Sequence, residues 1–259
     1  MFKLLSTLLL ATAVASLPAT PLPAGKIGTA PAAFGIDTTY QLTASQVDCL
    51  VRSGYKVGFF RLYNRNAGDR VGVSNVLAAY NGRLAFEVFV TPYPSGSGSG
   101  QFESAYAFAK TNNLQLNRVW LQVTSPSQWS NTFSSNVRYI NDFVRAAYAR
   151  NVNVGLYTNW YDYEEITGNS RSISNTDIWY WHVLGAGSSA ETSRDFVDFR
   201  SFGPFVGYPK VKQYGIAENT CSAVVNQNVF PGGSFKLNGE ESMPIGLGAS
   251  LIQDNKTKQ

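Results

Sequence analysis

The chain has 259 residues, 44% hydrophobic and 14% aromatic, and a formal net charge of +4. That is ample material for a buried core, and the length suits one large domain better than two. The small basic excess holds no Lys/Arg run, which excludes a dedicated nucleic-acid surface while still favouring approach to anionic cell walls.

Met1-Phe2-Lys3 is a basic start, Leu4 to Ala11 a short apolar stretch, and Ala13-Val14-Ala15 a small-x-small cleavage pattern. Residues 1–15 therefore read as a secretory signal peptide, too short to span a bilayer as a helix. A secreted protein that does not engage a membrane follows. Residues 16–32, rich in Pro, Ala and Thr, read as a flexible lead-in.

The compact pattern begins with a short strand, Phe34 to Asp37, ending in a carboxylate. A helix follows from Thr43 to Ser53, with Thr43 as its cap and Gly54 as its stop. Tyr55 to Leu62 is a strand, and a short helix is expected around Ser74 to Tyr80. Leu84 to Val90 is a strand, Glu103 to Asn112 a helix, and Arg118 to Thr124 the next strand. Ser135 to Arg150 forms an amphipathic helix, with Val137, Ile140, Phe143, Val144 and Ala147 on one face. Strands are expected at Val152 to Tyr157, Ile178 to Val183 and Pro209 to Tyr214. The run Pro231-Gly232-Gly233-Ser234 ends the pattern, and residues 231–259 read as a poorly ordered tail. Within it, Asn255-Lys256-Thr257 is a glycosylation sequon.

Strands alternating with helices predict parallel βα units. In one domain spanning residues 33–230 they imply an α/β fold of the irregular TIM-like (β/α) barrel type. The stretch 184–208 shows no convincing helix, so eight regular repeats are not expected. The pocket should lie at the C-terminal strand ends, where Asp37, Thr124 and Tyr157 fall.

Several strings resemble family-25 glycoside hydrolases, the lysozyme family with an irregular β/α barrel, and its nematode-type branch above all. Phe34-Gly35-Ile36-Asp37-Thr38 is similar to its opening strand. Cys49-Leu50 with Ser53-Gly54-Tyr55 is similar to its first helix and second strand. Val154-Gly155-Leu156-Tyr157-Thr158, Trp179-Tyr180-Trp181-His182 and Lys212-Gln213-Tyr214 resemble three later strands. Val119-Trp120-Leu121-Gln122-Val123-Thr124 resembles the strand that in this family reads Trp-Leu-Asp-x-Glu. The resemblance spans Phe34 to Phe230.

That family places four acids at the barrel mouth, and the resemblance maps them onto Asp37, Gln122, Thr124 and Asn226. Only Asp37 keeps a carboxylate. Gln and Asn do not titrate, and a Thr hydroxyl is too weak an acid to protonate a leaving group near neutral pH. A glycosidase needs a general acid together with a nucleophile, base or substrate group. The resemblance thus implies a lysozyme-like protein that binds peptidoglycan-like glycan or a protein partner without cleaving it, in antibacterial defence. A second reading stays open: a muramidase using Asp37 with Glu87 or substrate assistance. Glu87 shares a strand face with Phe89 and Thr91, and serves either as a substitute catalytic group or as a buried structural carboxylate.

Aromatic residues at strand ends suit stacking against sugar rings. Tyr63, Tyr157 and Trp181 are the first expectations for the pocket, followed by Tyr93, Trp179 and Tyr214. The two cysteines, Cys49 and Cys221, match positions of the nematode-type branch, which implies a disulfide from the first helix to a point just before the last strand. The single His, His182, reads as structural. The sequence offers no clustered His/Cys set for a metal, and no cofactor is expected. Ser95 to Gly100 reads as a flexible turn, and the protein as a monomer.

Overall fold

The computed structural model describes residues 26–27, 30–232, 236–237, 240–241 and 243–252. The signal peptide, most of the lead-in and the Asn255 sequon lie outside the described residues. Eight strands close a barrel: β1 (Ala30–Thr38), β2 (Val57–Asn64), β3 (Ala85–Thr91), β4 (Arg118–Gln122), β5 (Asn153–Thr158), β6 (Thr176–Trp181), β7 (Val211–Thr220) and β8 (Ala223–Pro231). Neighbours pair in parallel from β1 to β7, while β8 runs antiparallel to both β7 and β1 and completes the ring. Five helices lie in the connections: α1 (Ala44–Arg52), α2 (Arg70–Asn81), α3 (Gly98–Thr111), α4 (Phe133–Tyr148) and α5 (Trp160–Thr167). The segment between β6 and β7 holds only one turn of 3₁₀ helix, at Ser188–Ala190. The expectation of an irregular barrel is met.

Side-chain caps fix where the helices begin. Thr43 and Gln46 form a capping box at α1, and Val47 and Leu50 bury its inner face. Asp69 caps α2 by accepting from the Val71 and Gly72 amides, so the helix starts a turn before the expected Ser74. Ser97 caps α3, which corrects the reading of Ser95 to Gly100 as a flexible turn. A Cβ on Gly98 would overlap the Tyr139 carbonyl, so glycine there lets α3 approach α4 closely.

Strand parity divides the apolar residues into two sets. Phe86, Val88, Val90, Val119, Leu121 and Val123 face the helices in the large outer core. Val57, Phe59, Phe89, Trp120, Trp179, Val211 and Phe230 fill the barrel interior. The Cys49–Cys221 disulfide is formed and ties α1 to the β7–β8 turn.

The barrel floor is a buried ion pair. Arg118 grips Glu87 through Nη2–Oε1 at 2.7 Å and Nε–Oε2 at 3.1 Å, with both side chains fully buried. Trp120 Nε1 adds a donor to Oε2 at 3.0 Å, and the Gly246 and Gly248 amides donate to Oε1 at 2.7 and 3.0 Å. Arg118 also donates to the carbonyls of Met243 and Pro244, and its Nη1 lies 3.5 Å from Asp177 Oδ2. This corrects the expectation of a poorly ordered tail for 243–252. Ala249–Leu251 pairs antiparallel with Leu114–Leu116, and Ala249 enters the outer core. Ile245 packs against the barrel interior, and the buried pair draws in the segment's backbone groups.

Replacing Glu87 by Gln leaves Arg118 charged with its main partner removed, a situation that costs about 3–5 kcal/mol. Urea denaturation should therefore show a loss of about 3 kcal/mol, and an unchanged midpoint would refute this account of the floor.

Candidate functional site

Asp37 sits near the C-terminal end of β1, only 6% exposed, and three amides converge on it. Gln213 Nε2 and Asn228 Nδ2 donate to Oδ2 at 2.7 and 2.8 Å, and Asn226 Nδ2 donates to Oδ1 at 2.7 Å. Each amide oxygen is held in turn. The Tyr157 hydroxyl donates to Gln213 Oε1 at 2.9 Å, the Trp179 indole to Asn228 Oδ1 at 2.8 Å, and the Ala217 amide to Asn226 Oδ1 at 2.9 Å. These outer bonds orient every NH₂ group toward the carboxylate. Burial pushes the Asp37 carboxyl above its ordinary value, while the three amides pull the other way. Burial also raises the Tyr157 hydroxyl well above its usual value, reinforced by the charges of Asp37 and Asp162.

Across the mouth, strand parity places Gln122 and Thr124 on the interior face, since Val119, Leu121 and Val123 face the helices. The Thr91 hydroxyl donates to Gln122 Oε1 at 2.8 Å, and Gln122 Nε2 donates to Thr124 Oγ1 at 3.1 Å. Trp129 Nε1 holds the Thr124 carbonyl at 3.0 Å. Gln122 stands opposite Tyr157 in the β4–β5 register, and Tyr157 leads through Gln213 to Asp37. Asp37 and Asn226 are thus in direct contact, as are Gln122 and Thr124, and β5 and β7 bridge the two pairs.

Three expectations need correction. Glu87 belongs to the floor, where Arg118, Trp120 and two amides occupy both oxygens, so it does not partner Asp37. Tyr63 follows an irregularity in the β2 register and turns outward, its ring edge-on to Phe108 of α3 at 6.2 Å. Tyr214 also faces outward, packed edge-on against Phe34 at 6.5 Å. Its neighbour Gln213 is the inward residue of that strand, and alternation counted from Val211 would have found it. Of the other aromatics, Trp179 lies beneath the mouth with its ring 4.4 Å from Tyr157. Tyr93 stands exposed on the β3–α3 loop under Arg65. Trp181 is half-buried at the end of β6.

The sequence reading missed Thr91, Gln213, Asn228 and Asp162. Asp162 lies in the first turn of α5, capped by Asn159, and its Oδ2 accepts the Trp181 indole N–H at 3.0 Å. Burial pushes this carboxyl up to about 6, against donors from Trp181 and the Ser125 amide. His182 donates or accepts at Asp198 Oδ2 at 2.6 Å, and buried Lys212 grips the same carboxylate, so the ring belongs to a structural ion-pair cluster. Among the described residues no group of His, Cys, Asp and Glu could hold a metal ion.

The closed barrel thus opens at a mouth of amides and hydroxyls around Asp37, with Asp162 beside Trp181, and known proteins share this architecture. The family described as Lysozyme-like protein 1 matches residues 28–214. The sequence is 40% identical over 201 residues to Lysozyme-like protein 2 of Caenorhabditis elegans, covering 75% of this chain and 72% of that protein. It is 29% identical to the probable GH family 25 lysozyme 2 of Dictyostelium discoideum, covering 76% and 90%. Among solved structures, the Streptomyces coelicolor lysozyme superposes with a TM-score of 0.63 at 19% identity, over 78% of this chain and 93% of the other. The chain belongs to the Lysozyme-like protein 1 family.

The sign of the Asp162 effect on stability follows from its raised value. Between about pH 4 and 6 the folded protein keeps a proton that the unfolded chain releases, so this residue lowers stability as pH rises. Asp162→Asn should match wild type in Tm at pH 4 and exceed it at pH 7, checked by thermal melts at both. An equal difference at the two pH values would contradict this assignment.

Proposed function

We propose that the protein is a secreted, non-hydrolytic binder of bacterial-wall glycan of the peptidoglycan type, serving antibacterial defence. The observation that carries this reading is the state of the four mouth positions. Asp37 alone titrates among them, and its oxygens are committed to three amides. An oxocarbenium-like transition state needs a proton donor beside negative charge, and one carboxyl cannot be protonated and ionised at once.

Binding asks for less. Amides and hydroxyls at Thr91, Gln122, Thr124 and Asn226 match sugar hydroxyls in both directions, and half-buried Trp181 and Tyr157 offer ring faces. The Streptococcus pneumoniae autolysin LytC, solved with a synthetic peptidoglycan ligand, shares the fold at a TM-score of 0.58 and 13% identity. This chain covers 46% of that protein. One observation favours a second reading, in which the protein hydrolyses glycan. Asp162 holds a proton up to about pH 6 and lies beside Tyr157 in the same mouth.

A sedimentation assay with insoluble peptidoglycan, run beside a cell-wall turbidity assay, separates the two. Wild type should be retained without clearing the suspension, and Trp181→Ala should weaken retention about tenfold, the equivalent of ~1.4 kcal/mol. Clearing by wild type that disappears in Asp37→Asn or Asp162→Asn would establish the hydrolytic reading instead.

A further inference from the structure

A second titrating cluster lies beside the mouth, on the outer side of β7. Glu218 of β7 is 7% exposed, and its Oε1 is buried without a hydrogen-bond partner. What it faces is another carboxyl, Glu191, from the β6–β7 connection. A Cβ on Gly215 would overlap Glu218 Oε1 and lie 3.1 Å from Glu191 Cγ, so the two acids fill the space that glycine leaves open.

Around them the charges do not balance. Arg194 holds both Glu191 oxygens, with Nε–Oε2 at 2.9 Å and Nη2–Oε1 at 3.2 Å, and stacks over Tyr214 at 5.3 Å. The hydroxyl of Tyr55, from the turn before β2, donates to Gln227 Oε1 at 2.8 Å, and Gln227 of β8 in turn faces Glu218. Thr220 accepts from Gln227 Nε2 at 2.9 Å. The groups facing Glu218 are therefore one guanidinium, one carboxylate, two phenols and neutral amides. The guanidinium is already committed to Glu191.

We propose that Glu191 and Glu218 share one proton, that this proton latches residues 184–194 against β7, and that its loss releases them. With the proton on Glu218, its O–H donates to the Glu191 carboxylate that Arg194 holds. Without it, the buried Glu218 carboxylate repels that of half-buried Glu191, and Oε1 has no donor. Burial and the Glu191 charge push Glu218 up to about 7 from an ordinary 4.5. The latch is therefore closed below about pH 7 and open above it.

The latched segment extends the sheet past the rim. Gly187 N donates to the Ile216 carbonyl at 2.8 Å, Thr192 N to the Tyr214 carbonyl at 2.9 Å, and Ala186 bridges Ile216 in parallel. The same stretch of β7 carries Gln213 and Ala217, which reach Asp37 directly and through Asn226. The proton thus sets the order of the strand that presents the mouth's amides, whatever the mouth binds.

Hydrogen–deuterium exchange on the full protein, corrected for the intrinsic rate at each pH, tests the latch. Protection of the Gly187 and Thr192 amides should fall about tenfold or more between pH 6 and 8, while the Val123 amide on the opposite wall stays constant. Glu218→Gln donates to Glu191 at every pH, so its protection should not change across that range, and Glu191→Gln should behave alike. Constant protection in wild type, an equal fall at Val123, or the same pH dependence in a folded variant would overturn the proposal.

Discussion

A carboxylate taken out of water must find donors in the protein, and at Asp37 the donors come from the last two strands, one of which runs against the rest of the barrel. Gln213 belongs to β7, and Asn226 and Asn228 to β8, the one strand antiparallel to its neighbours. The amides reach Asp37 only when β8 is seated between β7 and β1. Closure of the ring and satisfaction of the buried charge are therefore one event. An amide side chain suits this task because its oxygen is pinned by a second donor, which fixes the direction of its N–H groups. Asp37 has become the hub of a polar lattice, which limits its freedom as a reacting group.

The two ends of the barrel answer the same problem with different chemistry. At the floor, Glu87 and Arg118 pair as ions and draw in backbone groups from the C-terminal segment, with no exposed atom left over. Between the ends stands a layer of Phe59, Phe89, Trp120 and Trp179, whose indole groups point opposite ways. Trp120 donates to Glu87 below, and Trp179 to Asn228 above. The aromatic layer insulates a charged floor from a mouth built of amides and hydroxyls. In barrels of this kind the N-terminal face serves stability and the C-terminal face serves ligands, and the polar groups here follow that division.

Much of this was legible in the sequence because alternation and capping are local. Val119 to Thr124 announced an inward Gln and Thr, and Thr43 with Gly54 announced the bounds of a helix. The Cys49–Cys221 bridge followed from resemblance and is present. Where the reading failed, the deciding contact was distant in sequence or the local pattern was broken. Tyr63 follows a register irregularity that reverses the parity expected of β2. Tyr214 drew attention as an aromatic, although the inward neighbour Gln213 does the polar work. Asp162 sits in a helix of eight residues, too short for periodicity to expose. The floor segment 243–252 carries apolar residues at every second position from Met243 to Leu251, a strand-like signal that the reading missed, but its backbone contacts with the buried ion pair lie more than a hundred residues away in sequence.

That floor segment also decides how the molecule can be held. β1 runs from floor to mouth, so the described chain enters at the floor through the Lys26–Ile27 pairing with Ala30 and Pro31. Ile252, bonded through its amide to the Asn113 carbonyl just ahead of Leu114–Leu116, leaves on the same side. Both ends of the described barrel therefore depart from the face opposite Asp37. Contact with a support or a neighbouring surface at that face turns the opening outward.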